Sequence, residues 1–84
     1  MKEEFDRKTE LFAGEKKEGC EIVVTLLEKE GNFWIDIRER VTRPSAEGGF
    51  VGWTKRGVTM PLDMFVNLNE KVAGAIKNAT APVA

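Results

Sequence analysis

Residues 33–41 read Phe-Trp-Ile-Asp-Ile-Arg-Glu-Arg-Val, and this alternation constrains the chain more than any other feature. Successive side chains of a strand point to opposite faces of its sheet. One face therefore carries Phe33, Ile35, Ile37 and Val41, interrupted by Glu39. The other carries Trp34, Asp36, Arg38 and Arg40. The first reads as a core face. The second combines one large aromatic with two guanidiniums.

The neighbouring segments fit an antiparallel sheet. Residues 21–27 are β-branched and apolar, which suits a strand. Glu28 to Asn32 contains Gly31-Asn32 and reads as a hairpin turn. Residues 42–49, with Pro44 and Gly48-Gly49, read as a loop. Residues 50–59 return as a strand with glycine kinks or bulges. The spacing predicts a helix over 61–77, with Pro61 in its first turn, Asp63 at its positive end and Lys77 at its negative end. Leu62, Phe65, Leu68, Val72 and Ile76 fall on one face of it and serve core and dimer packing. Glu10 to Gly14 reads as a short edge strand within an irregular Phe5–Lys17 segment. Residues 1–10 are expected to be an N-terminal extension, 11–77 the folded domain and 78–84 a flexible tail. Three or four antiparallel strands precede one helix, an α+β arrangement. One helix covers one sheet face, and the Trp34 face then meets solvent, a partner subunit or a ligand.

Composition narrows the chemistry. The chain has 84 residues, one cysteine and no histidine. A single core of this size yields only about 3–5 kcal/mol, so a staple or a partner subunit is usual. Cys20 alone closes no internal disulfide, and one Cys without His builds no ordinary zinc site, so no metal or other cofactor is expected. Oligomerisation is the remaining device. Without histidine the commonest general base and every Ser-His or Cys-His nucleophile are missing, so an enzyme is not expected. No apolar run approaches the roughly 18–20 residues of a membrane span. The acidic Met1–Asp6 segment has no signal-peptide core, and a lone thiol suits a reducing compartment.

Charge is unevenly placed. Residues 1–30 hold six cations and nine anions, whereas 31–60 hold five cations and three anions. Four of the five arginines lie between 38 and 56. By charge alone, a solvated strand edge is the simpler reading and a local anion-binding face the sharper one.

Two motifs sharpen the choice. Phe33-Trp34-Ile35-Asp36-Ile37-Arg38-Glu39, a Pro/Gly-rich loop, and then Lys55-Arg56-Gly57-Val58-Thr59-Met60-Pro61 stand in order before the helix. Together they resemble the single-stranded-DNA-binding domain of the transcriptional coactivator positive cofactor four and its small bacterial and phage relatives. The resemblance spans roughly residues 11–77. It implies a curved four-stranded antiparallel sheet followed by one C-terminal helix, paired as a homodimer whose grooves take unpaired DNA. It carries the family's strand arginine onto Arg38 and its basic pair onto Lys55 and Arg56. The family's tryptophan after the Arg-Glu pair falls on Val41, and its hairpin aromatic near Lys29 or Glu30. Trp34 and Trp53, with Phe50 nearby, stand elsewhere.

The expected function is therefore binding of single-stranded DNA without sequence preference, as a coactivator-like protein or an accessory in replication or recombination. Trp34, Arg38, Arg40, Trp53, Lys55 and Arg56 are the candidate nucleic-acid contacts. A cationic groove follows phosphates while aromatics stack on bases. Transcription or replication proteins are further expected partners, with no membrane. A cytoplasmic location is implied for a bacterial or phage protein, a nuclear one for a eukaryotic protein. A protein–protein adaptor on the same fold and an RNA-binding module are the alternatives.

Overall fold

The computed structural model describes residues 4–44 and 48–80. The strands are β1 (Arg7–Lys17), β2 (Cys20–Lys29), β3 (Asn32–Val41) and β4 (Gly52–Pro61), followed by α1 (Leu62–Thr80). The strands pair antiparallel in sequence order as one curved four-stranded sheet. This is the ββββα architecture expected from the sequence. No described helix is long and apolar enough to cross a membrane.

β1 is eleven residues long, where the sequence suggested only Glu10–Gly14. It starts inside the segment read as an N-terminal extension. The register shifts between Glu10 and Phe12. Leu11 is the extra residue, and it reverses which parity faces which side. Lys8 and Glu10 share a face with Ala13 and Glu15, so a period-two pattern is invisible across the strand.

The β2–β3 turn lies within the expected Glu28–Asn32 segment, with Glu30-Gly31 as its two central residues. Lys29 and Asn32 form the closing pair, and both central residues have positive φ, at 51° and 80°. That is the twist a two-residue hairpin prefers. The Glu30 amide donates to Asp6 Oδ2 at 2.8 Å, which ties the approach to β1 onto the turn.

Gly57 of β4 lies opposite Arg38, close against the β3 backbone. A Cβ there would stand 2.6 Å from the Ile37 carbonyl oxygen and 2.9 Å from the Arg38 Cα. Both obstacles are backbone, so the strands must separate to admit a side chain. Gly57→Ala is expected to lower stability by about 1–3 kcal/mol, the usual cost of overpacking. The midpoint of urea unfolding measures it, and an unchanged midpoint would refute the tight crossing.

Three expectations about the helix change. Pro61 ends β4 opposite Trp34 instead of opening the helix. β4 is an edge strand, where a missing N–H is tolerated. The helix also does not cover the sheet. It touches only β3 and β4, and none of its residues is buried. Leu62 and Phe65 are half-buried near the sheet, while Leu68, Val72 and Ile76 are 43%, 46% and 56% exposed. Its helical form runs to Thr80, three residues past the expected end, and residues 81–84 of the expected tail lie outside the described residues.

The molecule is consequently a thin slab, 54 × 38 × 17 Å. Register sorts the strand residues into two faces. The Ile35 face also holds Phe12, Ile22, Val24, Leu26, Ile37 and Val58. Phe12 and Val58 are 58% and 50% exposed there, and the aliphatic residues between them are only half-buried. The buried apolar side chains among the described residues are Cys20, Val23, Leu27, Ile35 and Met60.

Candidate nucleic-acid interface

The Trp34 face carries the chemistry. Register places Trp34, Asp36, Arg38 and Arg40 beside Leu27, Thr25, Val23 and Glu21 on β2. Thr59, Gly57 and Trp53 flank them on β4. A groove of about 520 Å³ crosses this face, lined by Lys8, Thr25, Asp36, Arg38, Trp53 and Thr59 among others.

Arg38 is held rigidly. Its Nε and Nη2 donate to the two Asp36 carboxylate oxygens at 3.3 and 2.9 Å, and its Nη1 donates to the Thr54 carbonyl at 3.3 Å. Asp36 is buried and also accepts from the Thr59 hydroxyl at 2.6 Å. Residues two apart on a strand share a face, which puts the Arg38 fork within reach of the Asp36 carboxylate. Asp36 thus serves as the orienting partner of a groove-lining guanidinium.

Arg40 is held by two strands at once. Its Nε donates to Glu21 Oε1 at 2.7 Å, its Nη2 pairs with the same oxygen, and its Nη1 donates to Glu10 Oε1 at 3.1 Å. The Glu21 hydrogen bond, assisted by Glu10, raises the Arg40 pKa further above its already high value. The guanidinium carbon also lies 4.9 Å from the centroid of the Trp53 ring, over its face. Trp53 is 50% exposed and lines the groove.

The remaining candidates separate. Trp34 is half-buried, with its ring 6.0 Å from that of Phe5 in an edge-to-face contact. Arg56 donates to Glu39 at 3.5 Å, and Glu39 belongs to the Ile35 face. Lys55 is exposed and has no carboxylate partner among the described residues. The structure therefore brings together Arg38, Arg40 and Trp53, sets Trp34 apart from them against Phe5, and divides Lys55 from Arg56.

Sequence reasoning missed Lys8, which lies 5.8 Å from the Phe5 ring centroid and lines the groove. It also missed three of the carboxylates, Glu10, Glu15 and Glu21. The strand positions of the Trp34 face carry Lys8, Lys29, Arg38 and Arg40 against Glu10, Glu15, Glu21 and Asp36. Glu10 and Glu21 reach Arg40 only through strand pairing across the β1 irregularity, which no local pattern reveals.

On the opposite face, Glu39 is 6% exposed and accepts from Lys16 at 3.0 Å. Hydrogen bonds from Cys20 and then Lys16 hold its carboxyl below the usual range. The same Glu39 contact, with burial, pushes the Cys20 thiol up from 9.0. A raised thiol pKa adds stability below its unfolded value and loses it as pH rises through the folded value. The lowered carboxyl pKa works oppositely, its contribution disappearing on the acid side below about pH 4.5. Thermal unfolding should therefore show Tm falling above pH 9. Cys20→Ser, whose hydroxyl still donates but does not ionise, should show a smaller fall; an identical alkaline slope in both proteins would remove Cys20 from the linkage.

No family model, curated protein or solved structure matches this chain.

Proposed function

We propose that the protein binds unpaired nucleic acid strands, single-stranded DNA foremost, as a homodimer whose Trp34 faces present the grooves. It breaks no bonds. The observation that carries the reading is Trp53, a half-exposed indole in the wall of a groove that Lys8 also lines. Such a wall offers a base a π-face and a phosphate a cation, the two elements of sequence-tolerant strand binding. The order of the Ile35–Glu39 and Lys55–Gly57 motifs before a closing helix supports the same reading, through the resemblance to positive cofactor four. Transcription, replication and recombination are all processes such a protein serves.

Trp53 takes the stacking role and Trp34 the packing role against Phe5. Arg38, Lys8 and Lys55 supply positive charge, although Arg38 is already matched to Asp36. Lys8 and Lys55 from each of two chains neutralise about four phosphates. The log–log salt slope for single strands is about 0.7 per phosphate, so a slope near −3 is expected. The test is a titration of labelled poly-dT, poly-U and duplex DNA across salt concentrations. Tight, salt-dependent binding of poly-dT with weak duplex binding supports the proposal. Equal binding of poly-U favours an RNA-binding module, because a stacking groove without 2′-hydroxyl contacts separates the two sugars poorly. Binding of none favours the protein–protein adaptor.

A second copy belongs on the Ile35 face. A single-layer sheet with one apolar side must bury that side against another layer, and α1 leaves much of it open, with Phe12 and Val58 exposed. Leu68, Val72 and Ile76 are also left exposed by the described residues of their own chain. Two copies, each with an open apolar sheet and an open apolar helix face, supply what each lacks.

A further inference from the structure

We infer that Arg40 is a positioning residue for Trp53 and not a phosphate ligand. This deepens the strand-binding reading and rests on it. The guanidinium spends its hydrogen-bonding edge on carboxylates: Nε and Nη2 on Glu21, Nη1 on Glu10. Its charge is matched by those two acids from β2 and β1. Its flat surface lies over the Trp53 ring, 4.9 Å from the centroid. A phosphate approaching Arg40 would have to displace a carboxylate from a formed pair, or meet two carboxylates at close range.

The same geometry gives the indole a fixed pose. A planar cation on one face of the ring leaves the other face for a base. Trp53 follows the Gly52 start of β4 and precedes the irregular pairing between Arg38 and Arg40, so its own strand constrains it weakly. The Glu21–Arg40 pair supplies the missing constraint from two paired strands. Glu21 is thereby a second-hand contributor to stacking although it touches no ligand. The planar fork matters because it contacts Glu21, Glu10 and the ring together, which a lysine ammonium does not do.

Three proteins test this against one labelled dT oligonucleotide, each in a Trp34→Phe background so that Trp53 alone emits. The reference carries only that background change. The second adds Arg40→Lys, which keeps the charge and a partner for Glu21. The third adds Glu21→Gln and Arg40→Gln together, which removes both charges as a pair. The inference expects both variants to bind at least five-fold more weakly, with reduced Trp53 quenching and an unchanged salt slope. A phosphate ligand at Arg40 predicts the reverse: Arg40→Lys close to the reference, and a slope smaller by about 0.7 per chain in the double variant. Either of those results overturns the inference while leaving strand binding standing. Failure of the reference and the unaltered protein to bind the oligonucleotide overturns both readings. Circular dichroism of each variant confirms that the sheet persists. If the double variant unfolds, Arg40→Lys decides alone, since its quenching and affinity separate the two roles.

Discussion

Ile37→Asp is expected to turn a dimer into a monomer. Ile37 sits on β3 between Val24 and Val58, at the middle of the uncovered apolar face. In a dimer buried through that face, the new carboxylate has no partner. An unpaired buried charge costs several kcal/mol, on the order of a thousand-fold in the dissociation constant. Light scattering at micromolar concentration should give twice the 9.4 kDa chain mass for the unaltered protein and the single-chain mass for the variant. Phe65→Asp, on the sheet-proximal turn of α1, should act in the same direction. Strand affinity should fall with the dimer, because two linked grooves bind one strand more tightly than either alone. A monomeric mass for the unaltered protein would remove the second copy from the account.

Trp53→Ala should produce the largest loss of strand affinity among groove substitutions. Stacking of one base on an aromatic contributes about 1–3 kcal/mol. The loss should appear with poly-dT while the salt slope stays near that of the unaltered protein, since no cation is removed. Trp34→Ala should act differently. Its ring packs edge-to-face on Phe5, so its removal opens a gap beneath the N-terminal approach to β1 and lowers stability first. Urea unfolding and oligonucleotide titration of the two variants separate these effects. An Ala at 53 that binds as tightly as the unaltered protein would leave the groove without its stacking surface.

The strands with undisturbed alternation were legible. Residues 33–41 declared both faces of β3, and parity put Asp36 beside Arg38 on one of them, where the structure pairs the two. The helix residues were legible too, but not their placement. Sequence periodicity shows that Leu68, Val72 and Ile76 share a face without saying whose surface covers it, and among the described residues none does. β1 was hidden by the irregularity at Leu11, which swaps the faces of the residues on either side. That also hid Lys8, Glu10 and the clamp on Arg40. The Lys55-Arg56 pair looked like one basic patch, yet the irregular β3–β4 pairing sends Arg56 to Glu39 on the opposite face. In both strand cases a register shift, which depends on the partner strand, overrode a pattern that is local.

The two indole N–H signals of the unaltered protein test the central claim most directly. Proton–nitrogen NMR spectra recorded during addition of a short dT oligonucleotide follow Trp34 and Trp53 separately, once each is assigned from its Phe variant. Binding in the groove predicts a large, saturable shift of the Trp53 indole and of the Arg38 and Thr59 amides, with the Trp34 indole moving much less. Saturable binding that leaves Trp53 unmoved, or shifts confined to α1, would contradict a stacking groove on the Trp34 face.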